Sequence, residues 1–238
     1  MTAAQLLSDL IRVDTSNPPG NEEPAAEVLR AHLDAAGLPT EMLVSPQGRS
    51  ARRVSLIARV PRPPDRPALL LVSHTDVVGV ERGRWAGDPF SGATAGGAIW
   101  GRGALDMKGV AVMHAEAAIA LSRCPTAPSR EVIVAAVADE EALGGEGMQW
   151  LLRDAPGRLG FGSRPAPEAL GEGGYGLSGV FARPVMPIVV GEKTAVTAEA
   201  VARGAAGHAS LPRPIRRCAT WPRSWSVRPV RIVHGCTR

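Results

Sequence analysis

His74, Asp76, Asp106, Glu140, Glu141 and Glu172 have the residue types and spacing of a metal-dependent hydrolytic centre. His74-Thr75-Asp76 follows directly on the apolar run of residues 68–73. An imidazole and a carboxylate therefore stand at the carboxyl end of a buried strand, where open α/β sheets bind ligands. Side chains alternate along a strand, so 74 and 76 are expected to face the same way, the imidazole ligating a metal and the carboxylate holding its orientation. Asp106 lies between the glycine-rich residues 100–105 and a helix start, where the helix dipole favours an anion. Its carboxylate can bridge two metals; an N-cap aspartate is the plain reading and is compatible with ligation.

Ala138-Asp139-Glu140-Glu141 closes a second apolar strand. Adjacent glutamates point in different directions there, so one can bind metal while the other serves as general base toward water. A solvated acidic turn is the plain alternative. Glu172, in the glycine-rich residues 171–176, lies in a loop able to wrap toward the sheet edge. That loop also fits G-x-G-x-x-G, but no amphipathic helix follows, because Gly179 and Pro184 interrupt the next residues. Acids gathered at one sheet edge repel one another strongly unless cations neutralise them, and a metal pair is the economical explanation. Histidine and carboxylates without cysteine suit zinc, manganese or cobalt.

The elements that must position these residues follow from periodicity. Leu6, Leu7, Leu10, Ile11 and Val13 keep helical spacing up to the Ser16-Asn17-Pro18-Pro19-Gly20 breaker. Ala25, Leu29, Leu33 and Ala36 form the stripe of a second helix, with Gly37 placed for a left-handed C-terminal cap. Strands are expected over 54–60, 68–73, 98–100 and 131–138, and helices over 109–121 and 147–152. Strands apolar on both faces that alternate with helices predict an α/β sheet covered by helices on both faces. Residues 154–187, rich in glycine and proline, read as loop. Strand patterns return at 189–192 and 195–203, and the change from buried to alternating pattern predicts a second domain beginning near residue 192.

Charge and cysteine usage exclude other classes. The chain of 238 residues carries a formal charge of +4, but residues 213–238 hold seven arginines and no acid. Residues 1–212 carry 20 basic and 23 acidic side chains, a net of −3. A basic footprint for nucleic acid belongs on a folded face, so no nucleic-acid partner is expected for the body of the chain. The three cysteines, Cys124, Cys218 and Cys236, form neither a disulfide framework nor a C-x-x-C metal site, which fits a cytoplasmic protein. The N-terminus has no basic segment ahead of an apolar one, and the longest clean apolar run, 132–138, is too short for a bilayer, so no membrane association is expected. Beyond Pro212 neither helical nor strand period survives. That tail reads either as a disordered arm or as a shifted reading frame of a GC-rich gene, where Arg, Pro, Trp and Cys codons accumulate.

In the order LLVSHTDVV, GRGALDMKG, ADEEALGGEG, LGEGG and GAAGHASLP, the motifs from about residue 4 to 212 resemble the M20 metallopeptidases. This family includes acetylornithine deacetylases, succinyl-diaminopimelate desuccinylases, aminoacylases and glutamate carboxypeptidases. The resemblance implies a zinc-exopeptidase-like sheet followed by an α+β lid domain that can form a homodimer. It implies two zinc ions bridged by Asp106, with His74 and Glu172 on one and Glu141 on the other. Glu140 is then the general base, Asp76 orients His74, and His208 corresponds to the lid histidine that stabilises the tetrahedral oxyanion. The expected reaction is attack of an activated water on the amide of a small N-acyl amino acid or peptide. Residues 1–191 are assigned to the catalytic domain, 192–212 to the start of the lid, and 213–238 to the basic tail.

Family members continue through a longer lid and return with closing strands and a last metal-binding histidine, which His234 does not match in position. The catalytic domain is therefore expected to be incomplete, and the second zinc to be held weakly. Two other readings stay open at this point: a truncated, catalytically impaired product, and a non-enzymatic protein that binds through its arginine tail.

Overall fold

A computed structural model describes residues 1–46, 52–62, 65–162, 165–173, 178–180 and 182–185. Helix α1 (Ala3–Arg12) opens on a capping box, in which the Gln5 N–H donates to the Thr2 hydroxyl and the Thr2 N–H to the Gln5 side chain. Its buried residues Leu6, Leu10 and Ile11 are those of the expected stripe. After the short strand β1 (Ser16–Asn17), helix α2 (Glu23–Ala35) buries Ala25, Leu29 and Leu33, and Gly37 adopts φ +82° just beyond it. That left-handed turn is what glycine at this position permits without Cβ strain.

The remaining elements are β2 (Thr40–Val44), β3 (Val54–Val60), β4 (Leu69–His74), β5 (Val77–Val78), the hairpin of β6 (Ala93–Ala95) and β7 (Ala98–Trp100), α3 (Lys108–Arg123), β8 (Val132–Val137), α4 (Met148–Asp154) and β9 (Glu168–Leu170). Five strands form one mixed sheet in the order β2-β3-β8-β4-β9. β3 pairs antiparallel with β2 on one side and with β8 on the other, whereas β8, β4 and β9 are parallel. A parallel pair cannot be closed by a hairpin, and the crossover from β4 to β8 passes through α3.

Period-two alternation divides the sheet between two cores. Val54, Leu56, Ala58 and Val60 of β3, with Val132, Val134 and Ala136 of β8 and Leu71 of β4, pack against α1, α2 and α3. Ile57, Leu70, Ile133, Ala135 and Val137 face the other way onto Trp150 and Leu151 of α4 and onto Leu159. All six residues of β8 are buried, as expected of a central strand covered on both faces. The α/β architecture with helices on both faces is therefore as the sequence predicts.

β3 and β4 are consecutive in sequence but not neighbours, because β8 inserts between them. One detail differs from the sequence reading. Residues 154–187 are not simply loop: Pro156–Leu159 forms a 3-10 turn, and β9 pairs with the edge of β4. A three-residue strand of Glu, Ala and Leu between proline and glycine segments is too short for periodicity to register. The strands expected after residue 188, the lid boundary at 192, His208 and the tail from 213 lie outside the described residues. No helix among the described residues is long and apolar enough to cross a membrane.

Candidate metal centre

Three parallel strands deliver the site. β4 and β8 are in register with His74 opposite Val137, so Asp76 and residues 139–141 emerge side by side beyond the same edge. Leu170 of β9 stands opposite Leu71 of β4, which sends Glu172 out at that edge as well. Asp106 arrives on the loop ahead of α3. The N-cap of α3 is Met107, with no side-chain capping bond, so Asp106 does not cap the helix; its Oδ1 lies 3.2 Å from His74 Nε2.

The glutamate pair sits on a tight turn. Asp139 at φ +65° and Leu143 at φ +77° bracket the 3-10 turn Glu140–Ala142, and each left-handed non-glycine residue costs on the order of 1 kcal/mol. Gly147 lets the chain fold back over the end of β8, since a Cβ there would lie 1.7 Å from the Ala138 carbonyl oxygen. The carboxylates are therefore held by backbone geometry as well as by their own contacts.

His74 is 2% exposed, at the bottom of the cluster. Its Nδ1 lies 2.9 Å from the Asp76 carbonyl oxygen, which can only accept, so Nδ1–H is the donor and the neutral ring presents a lone pair at Nε2. The Asp76 carboxylate lies farther from Nδ1, at 3.5 Å. The nearer contact of Asp76 with the imidazole is thus through its backbone carbonyl; β4 ends at His74, so strand alternation does not extend to residue 76.

Nε2 is buried and has no hydrogen-bond partner among the described residues. Around it stand Asp106 Oδ1 at 3.2 Å, Glu172 Oε1 at 3.4 Å and Glu140 Oε2 at 3.8 Å. Donor atoms of His74, Asp106 and Glu141 lie within 4.8 Å of one another, as do those of His74, Glu140 and Glu172.

The electrostatics follow from that crowding. Burial raises the Glu172 carboxyl to about 7, the Asp106 and Glu140 carboxylates adding to the effect against the opposing charge of His74. Glu141 is raised by burial and by Asp106 and Glu140. Burial lowers the His74 imidazole, but the Asp76 and Glu172 carboxylates outweigh it and bring it up to about 9. Metal-free, the site thus gathers protons where a cation would sit. A buried imidazole nitrogen ringed by carboxylate oxygens, with no hydrogen-bond partner and no thiol beside it among the described residues, fits a divalent cation.

Sequence reasoning missed the layer beneath. Beneath Asp76, the residues Asn17, Glu22, Arg53 and Asp139 are all 5% exposed or less. The Arg53 guanidinium donates to Glu22 Oε1 at 2.5 Å and to Asn17 Oδ1 at 2.8 Å, and lies 3.2 Å from Asp139 Oδ1. Lys108, fully buried, donates from Nζ to the carbonyls of Leu10 and Val13 at 2.9 and 2.8 Å, tying the start of α3 to the end of α1. Its ammonium is pushed down to about 8 by burial. The only sequence signal was a polar Asn inside a proline-rich breaker, which an ordinary turn explains equally well.

The family model described as Peptidase family M20/M25/M40 matches residues 70–227. A succinyl-diaminopimelate desuccinylase of Cereibacter sphaeroides is 31% identical over 221 residues, covering 87% of this chain and 50% of that protein. Another, of Methylobacterium radiotolerans, is 38% identical over 122 residues, covering 51% of this chain and 30% of its own. The chain thus spans about half the length, or less, of these curated relatives. An M20 family metallo-carboxypeptidase from Sulfolobus solfataricus shares the fold with TM-score 0.59 at 19% identity, over 74% of this chain and 38% of that one. Human carnosine dipeptidase 1 does so with TM-score 0.55 at 18% identity, over 71% and 37%.

Proposed function

The chain belongs to peptidase family M20/M25/M40, and on that premise we propose that it serves metal-dependent hydrolysis of the amide bond in a small N-acyl amino acid or peptide, at a two-zinc centre. The observation that carries this reading is His74 Nε2, buried without a hydrogen-bond partner among the described residues and facing the carboxylates of Asp106, Glu140 and Glu172. Asp106 would bridge the two ions, with His74 and Glu172 on one and Glu141 on the other. Bound there, the ions would supply Lewis-acid polarisation of the amide carbonyl and a lowered pKa for water.

The chain's own residues do the rest. Glu140, half exposed at the mouth of the cluster, takes the proton of the attacking water and passes it to the leaving amine nitrogen. Asp76 fixes the ring of His74 and, by accepting the N–H groups of Glu140 and Glu141 at 3.1 Å each, the turn that carries both glutamates. His208, outside the described residues, is assigned to the oxyanion. The desuccinylase relatives support an acylated amino acid as the substrate class.

The test separates binding from turnover. Glu140→Gln is expected to retain zinc, measured by competition with a chromophoric chelator, while zinc-dependent hydrolysis of N-acyl amino acids falls about 10²–10⁴-fold. Wild-type protein that binds no zinc, or a Glu140→Gln variant with full turnover, contradicts the assignment.

A further inference from the structure

Resting on the metal-centre reading above, we propose that Asn17 is a positioning residue whose carboxamide joins the carboxylates of Asp76 and Asp139 and thereby sets the direction of Glu140 and Glu141. One carboxamide N–H faces each acid: Nδ2 lies 2.8 Å from Asp76 Oδ2 and 3.1 Å from Asp139 Oδ1. Its oxygen accepts from the Arg53 guanidinium at 2.8 Å. Arginine can only donate and an ionised carboxylate can only accept, so the amide orientation is fixed by chemistry.

Both acids are spent on backbone. Asp76 Oδ1 accepts the N–H of Glu140 and Oδ2 that of Glu141, while Asp139 Oδ2 accepts the N–H of Glu146 at 3.0 Å. Two buried carboxylates of like charge thus hold the turn at Glu140, Glu141 and Glu146, and Asn17 lies between them.

Arg53 anchors Asn17 from behind, and Glu22, with 0% exposure, anchors Arg53. Gly20 makes room for this arrangement: a Cβ there would stand 1.5 Å from Arg53 Nη1, and its φ is +82°. A turn built only to break a helix needs neither the close approach nor the three side-chain bonds.

Asn17→Asp keeps the shape and the acceptor for Arg53 but replaces both donors with oxygen. In the metal-free protein, amide hydrogen exchange by NMR is expected to quicken about tenfold or more at Glu140 and Glu141, with Ile133 and Val134 of β8 unchanged. Zinc affinity by chelator competition should fall about 10–100-fold, and the visible spectrum of bound cobalt should change. Uniformly faster exchange, or exchange and zinc affinity equal to wild type, would overturn the proposal. Should Asn17→Asp not fold, Arg53→Lys, which replaces the planar guanidinium that donates to Glu22 and Asn17 by a single ammonium, carries the same expectations and the same refutation. Wild-type protein that binds no zinc removes the metal-centre reading, while the exchange measurement still decides whether Asn17 holds the turn.

Discussion

The floor and the rim of the site are built on opposite principles. The floor of His74, Asp76, Asn17, Arg53 and Asp139 is buried and nearly every polar group in it has a protein partner. On the rim, the side chains of Asp106, Glu140 and Glu172 are 66%, 52% and 42% exposed and converge on one imidazole nitrogen. The floor is organised before any ligand arrives. The rim is a set of like charges that only a cation brings into a favourable arrangement, and solvent screens their repulsion meanwhile. Buried, partnered groups thus lie beneath the cluster, and exposed carboxylates surround it.

Removing the cation of the floor is the largest way to break this contrast. Arg53→Met leaves Glu22 and Asp139 buried without their counter-charge, and is expected to lower the unfolding free energy by about 3–5 kcal/mol in urea titrations. A loss below 1 kcal/mol would mean the floor is not preorganised by this pair.

The junction of floor and rim gives the next effect. His74 is raised from 6.5 to about 9, so in metal-free protein the stability it contributes is fully present below pH 6.5 and is lost as pH rises toward 9. The decline should amount to about 2 kcal/mol across that window, and vanish in His74→Ala, when unfolding is followed with a chelator present. A wild-type curve as flat as the variant's removes the charge crowding inferred at Nε2.

The smallest effect sharpens the contrast from the rim. Glu172→Gln should change metal-free stability by less than about 0.5 kcal/mol, because its carboxylate is exposed and repelled by its neighbours. Zinc affinity should nevertheless weaken about tenfold, or about 1.4 kcal/mol, read by chelator competition. Equal losses in stability and affinity would place Glu172 in the floor.

Much of this was legible in residue order. Buried strands announce themselves as apolar runs, so β4 and β8, and the polar residues at their carboxyl ends, could be placed from periodicity. The stripes of α1 and α2 were equally plain, with the left-handed Gly37. β9 was not, since three exposed residues carry no period; yet it is the strand that brings Glu172 to the edge. The reading of Asp76 was partial: its link to His74 was anticipated, its grip on the backbone of Glu140 and Glu141 was not.

The sequence by itself determined which chemistry-bearing side chains exist and that they stand at strand ends, because burial on a pleated strand writes itself into neighbouring residues. Only the tertiary structure decided that β8 separates β3 from β4, and that Asn17 meets Asp76, Asp139 and Arg53 across 59, 122 and 36 residues. A buried hydrogen bond between distant residues leaves no local pattern; it is selected by the cost of an unpaired polar group in the folded interior, which exists only once the chain has folded.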